Sequence, residues 1–74
     1  MEYGKNGRMV FTKLWSLMEK KKINKQYLRN NGLHANTIQK LVNNENVTCE
    51  VLCNVCKLLN CQPGDIMEYI PEEQ

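Results

Sequence analysis

The sequence predicts an all-α protein, a compact bundle of five short helices. Two observations carry that expectation. From Phe11 onward apolar residues recur at spacings of three and four, and no segment alternates with period two for long. Glycine and polar breaks at Gly32, at Asn43-Asn44-Glu45-Asn46 and at Gln62-Pro63-Gly64 cut this pattern into lengths that suit short helices. Seventy-four residues make one domain, and a core this small commonly gains from a partner subunit.

Each element follows from local chemistry. Residues 1–10, with Gly4 and Gly7 and no apolar pattern, read as a flexible N-terminal arm, with a brief extended piece open to residues 10–12. The domain proper spans residues 11–71, and residues 72–74 are an acidic tail. The first helix begins near Phe11, and its Leu14, Leu17 and Met18 form one apolar stripe bordered by Trp15. It ends in Lys20, Lys21 and Lys22, cations suited to the negative end of a helix dipole. Ile23 anchors the link onward. Asn24 is a good N-cap for a second helix over residues 25–31, with Tyr27 and Leu28 facing inward. Gly32 can take the left-handed conformation that stops a helix, and Leu33 plugs the turn. A third helix covers residues 35–43, burying Ile38 and Leu41. Thr48 caps a fourth over residues 49–60, with Glu50 in its first turn and Val51, Leu52, Val55, Leu58 and Leu59 as its apolar content. A last short helix carries Ile66, Met67 and Tyr69 and stops at Pro71.

Composition narrows the function. The chain is 42% hydrophobic and 24% charged, ordinary for a globular domain, and no apolar run approaches the roughly 18 residues of a membrane span. MEYGKNGR lacks the apolar stretch of a signal peptide, so a cytoplasmic address with reduced thiols is expected. The net charge is only +2, but it is unevenly placed. Residues 1–47 hold nine Lys/Arg against three acids, whereas residues 48–74 hold one Lys against five acids. One end is basic and the other acidic, as expected when a single face meets a polyanion.

Residues 24–43 are the informative stretch. Two helices joined by a very short turn, so that the second projects outward, need inward apolar residues, a glycine at the turn, an apolar plug and two inward residues three apart. Tyr27, Leu28, Gly32, Leu33, Ile38 and Leu41 meet those needs in order. Outward on the third helix stand Ala35, Asn36, Gln39, Lys40 and Asn43. Asn and Gln amides can bond adenine edges bidentately, lysine can reach guanine or phosphate, and a small alanine permits close approach to the groove.

With "NGLHANTIQKL" and "LLNCQPGDIMEYIP" as its most specific parts, the stretch from Phe11 to Pro71 resembles the lambda-repressor/Cro-like (XRE-type) helix-turn-helix family. The resemblance implies a five-helix DNA-binding domain, often a homodimer, with the third helix in the major groove of double-stranded DNA at a pseudo-palindromic operator. It places base reading on Ala35, Asn36, Gln39 and Lys40, and backbone contacts on Asn24, Lys25, Thr37 and Asn43. Charge and placement add Arg29 and Asn46 as phosphate contacts. Three residues depart from the family pattern: Leu28 stands where alanine is preferred, His34 where serine often caps the third helix, and Asn31 where a less polar residue is usual.

Cys49, Cys53, Cys56 and Cys61 invite a metal reading. The first three, at i, i+4 and i+7 on one helix, spread along a stripe about 10 Å long, whereas zinc wants ligands converging from separate elements. They read instead as thiols in or near the core. One His, one Asp and no phosphate-binding glycine loop leave nothing from which to build a catalytic site, so no enzyme and no cofactor is expected. The expected function is a sequence-specific transcriptional regulator, most simply a repressor. The competing reading is a protein-interaction module or an antitoxin-like or controller protein on the same fold, with a protein partner and little DNA specificity of its own.

Overall fold

The structure, a computed structural model, describes residues 6–72. Four helices form its body: α1 (Thr12–Lys21), α2 (Lys25–Asn30), α3 (Ala35–Val42) and α4 (Cys49–Leu59). A 3₁₀ turn over Pro63–Asp65 follows, and two short strands, β1 (Arg8–Val10) and β2 (Glu68–Ile70), complete the described chain.

The helix starts follow the caps read from sequence. The Asn24 side chain accepts a hydrogen bond from the Tyr27 N–H at 3.0 Å, and Thr48 Oγ1 accepts one from the Val51 N–H at 3.2 Å. The helix ends share one device. A residue at positive φ (Lys22, Gly32, Asn44 and Asn60 in turn) follows each helix and reverses the chain. The next residue's N–H then reaches back to a carbonyl five residues earlier: Ile23 to Met18 at 2.9 Å, Leu33 to Leu28 at 3.1 Å, Glu45 to Lys40 at 2.8 Å and Cys61 to Cys56 at 3.0 Å. This is the Schellman arrangement, which a side-chain contact across the bonded residues frequently accompanies. Its partner bond, from the reversing residue to a carbonyl three back, is present at all four ends.

Leu28 and Leu33 occupy one such pair and both are buried, Leu28 completely. The leucine that departs from the family pattern therefore has a local cause: it meets the turn's own plug. Asn31 has one as well, since its Nδ2 donates to the Tyr27 carbonyl at 2.7 Å and satisfies an open C-terminal acceptor of α2. His34 starts α3 in extended conformation without a side-chain cap, so the capping role suggested by its position is not filled.

The core gathers Phe11, Leu14 and Met18 from the α1 region, Leu28 and Leu33 from the turn, Ile38 and Leu41 from α3, Val55 and Leu59 from α4, and Ile66. Tyr27 is not part of it. At 40% exposure it faces outward, contrary to the inward place read from its spacing, because six residues of α2 give one buried position and Leu28 holds it.

The fifth helix is not there. Pro63 and Gly64 start a 3₁₀ turn that ends after Asp65, whose carboxylate accepts the Gln62 N–H at 2.9 Å. Ile66 drops into the core, and the next residues extend to pair antiparallel with β1, Arg8 opposite Ile70, Met9 opposite Tyr69 and Val10 opposite Glu68. Residues 8–10, read as part of the arm, are thus strand. Residues 1–5 of that arm and residues 73–74 of the tail lie outside the described residues. Tyr69 is 56% exposed, and its hydroxyl donates to the Asn6 carbonyl at 2.7 Å, fastening the chain just before β1.

Candidate nucleic-acid interface

The turn between α2 and α3 decides what α3 can present. Gly32 sits at φ 106°, a conformation that side chains with a Cβ adopt at a cost, and the chain doubles back at once. Ile38 and Leu41 then lock the inner side of α3 into the core. Helical geometry puts Ala35, Asn36, Gln39, Lys40 and Asn43 on the opposite side, and all five are exposed. Four polar groups at spacings of three and four, Asn36, Gln39, Lys40 and Asn43, make a row of hydrogen-bonding heads along one face.

The backbone-contact candidates come from α2 and its cap, from α3 and from the loop before α4. Lys25 opens α2, and its ammonium lies 5.4 Å from the centroid of the Trp15 ring on α1. That is cation–π distance, and it holds a flexible side chain on one side of the helix start. Asn24 spends its carbonyl oxygen on the cap, leaving the amide N–H groups for an outside acceptor. Thr37 is half-buried on the flank of α3, Arg29 is exposed in the last turn of α2, and Asn46 is exposed in the loop before α4. Neither α2 nor α3 carries an acid in its first turn, whereas α4 begins with Glu50. The starts of both helices flanking the Gly32 turn therefore keep their positive ends unmasked.

Two features were not legible in the sequence. Gln39 donates to Asn43 Oδ1 at 3.5 Å, and Asn43 Nδ2 donates to the Glu45 carboxylate at 3.1 Å. An acid thus ends the polar row. The second is β1: Arg8 and Asn6 line, with Lys40 and Asn46, a groove of about 690 Å³ beside the end of α3. Arg8 brings a cation to this side of the molecule, and it does so through a strand whose partner lies some sixty residues away, which no local pattern signals.

Among the described residues no three His, Cys, Asp or Glu side chains converge as metal ligands, and no helix is long and apolar enough to cross a membrane. All four cysteines are free thiols, Cys49 and Cys53 exposed and Cys56 and Cys61 half-buried, so the stripe lies at the core's margin and beyond it.

The family model of the Cro/C1-type HTH DNA-binding domain matches residues 13–72. A crystal structure of the transcriptional regulator VanUg (form II) superposes with a TM-score of 0.86 at 40% identity, covering 97% of each chain. No curated protein sequence gives a significant match. With the turn, the outward polar row and this match over most of its length, the chain belongs to the Cro/C1-type helix-turn-helix DNA-binding family.

Proposed function

We propose that the protein is a sequence-specific transcriptional regulator that represses by occupying an operator, reading bases with Ala35, Asn36, Gln39 and Lys40 of α3. The carrying observation is the exposed row Asn36, Gln39, Lys40 and Asn43 on a helix that, like α2 before it, starts without an acid. Asn24, Lys25, Arg29, Thr37, Asn43 and Asn46 hold the phosphates on either side. The likeness to VanUg, a transcriptional regulator by name, supports regulation as the outcome of binding. No catalytic step is part of this reading, and the protein works in the cytoplasm, where the DNA is.

The protein acts as a homodimer on a pseudo-palindromic site with half-sites about one helical turn apart. Val51, Leu52 and Leu58 support α4 as the seam, since each is only partly covered by the protein's own core.

Selection from a random DNA pool with the purified protein near physiological salt tests the reading. A reproducible site is expected, and Gln39→Ala and Lys40→Ala should each lower discrimination at one base position by roughly 10-fold or more. Enrichment of no sequence, with only weak salt-labile binding, would exclude base readout and favour the protein-interaction alternative.

A further inference from the structure

At three of the four helix ends the residues joined by the Schellman bond have matched chemistry: Met18 and Ile23, Leu28 and Leu33, and Lys40 and Glu45. The fourth pairs two thiols. Asn60 reverses the chain at φ 51°, and the Cys61 N–H bonds the Cys56 carbonyl at 3.0 Å. The bond draws the two backbones together, and the Cys56 side chain is the neighbour that acts on the Cys61 thiol; a disulfide asks for Cα atoms about 4.4–6.8 Å apart with side chains directed at each other. Cys53 and Cys49 lie one and two turns earlier on α4 and have no such relation to Cys61.

We propose that Cys56 and Cys61 form a dithiol site, oxidised to an intrachain disulfide by small carboxylate-bearing disulfides. Access and charge support the choice of reagent. Cys61 lines an open groove of about 560 Å³, shared with Lys13, Lys20 and Lys21 and with the acids Asp65 and Glu68. Three ammonium groups against two carboxylates favour an anionic partner. Burial, then the neighbouring Cys56, then Asp65 push the Cys61 pKa up, with Lys21 acting the other way, so exchange quickens as pH rises.

The chemistry closes without a further reactant. One cysteine, as thiolate, attacks the small disulfide and expels one half as its thiolate, leaving a mixed disulfide. The second cysteine loses its proton and attacks the protein sulfur, expelling the other half. Two protein thiols and one small disulfide become one protein disulfide and two small thiols. The groove shares no lining residue with the one beside α3, so the bond forms on a different part of the surface from the polar row.

Tryptic mapping reads the outcome directly, because Lys57 separates the two cysteines. The full-length protein is equilibrated with oxidised glutathione, its remaining thiols are alkylated, and it is digested without reduction. The expected product is a chain with no interchain disulfide, in which two of four thiols resist alkylation and the peptide of residues 41–57 is linked to that of residues 58–74. The Cys49→Ser/Cys53→Ser double variant should give the same linked pair. Cys56→Ser and Cys61→Ser should each lose it and keep glutathione on the surviving thiol. Linkage that needs Cys49 or Cys53, linkage only between two chains, or mixed disulfides on all cysteines with no linked pair would each overturn the proposal.

Discussion

Glu45 is a carboxylate at the end of a row of side chains that faces a polyanion in the proposed complex. It accepts from Asn43, which accepts in turn from Gln39, so it orients that row while repelling phosphate. Glu45→Gln keeps an acceptor and removes the charge. It should tighten binding to random-sequence duplex roughly two- to fivefold, the scale of one exposed charge pair, and the gain should shrink as salt is raised. Equal affinity at low salt would place Glu45 away from the DNA. Lys25 gives a second test, because it lies over the only tryptophan. Titration with duplex should change Trp15 emission as the ammonium moves to phosphate. Lys25→Ala should abolish that change and lower the slope of log affinity against log salt by about one, with base preference intact.

Among the elements, the helix-turn-helix was legible in the sequence, because its signals are local: a cap at Asn24, a glycine at 32, and apolar residues at Leu33, Ile38 and Leu41. The sheet was not. β1 and β2 are three residues each and hydrogen-bond only to each other across the length of the chain, so neither shows a period of its own. Ile66, Met67 and Tyr69 satisfied a helical spacing, and the absent partner strand left nothing to contradict it. The candidate site divides the same way. The outward face of α3 came from counting residues, whereas Glu45 and Arg8 entered through contacts that only the folded chain creates. Leu28 shows how a family preference can mislead at one position. Alanine is the usual residue there, yet Leu28 is fully buried against the turn that Leu33 plugs. Leu28→Ala should therefore cost about 2–5 kcal/mol in urea unfolding, by the cavity it leaves. A loss under ~1 kcal/mol would mean that α2 and α3 settle into the alanine spacing.

At the scale of the whole molecule, the two-stranded ladder joins the ends of the described chain. Gly7, at φ 97°, is where this closure is tightest: a methyl group there would run into the Ile70 carbonyl and crowd the Tyr69 ring. Gly7→Ala should disrupt the ladder, raising amide exchange at residues 8–10 and 68–70 while α1 to α4 keep their protection. Gly64→Ala is the control, since a methyl group there meets nothing within 4 Å. Exchange rising equally in the helices would show that the ladder and the bundle unfold as one unit.

That ladder also has a bearing on the order of assembly. Its pairs join residues at opposite ends of the sequence, whereas α2 and the turn to α3 close within a few residues of each other. Closing a long loop is entropically slow compared with local contacts. During synthesis β1 emerges before β2 and stays unpaired until β2, some sixty residues further on, becomes available. The helix-turn-helix can therefore form on a nascent chain whose first strand is still waiting for its partner.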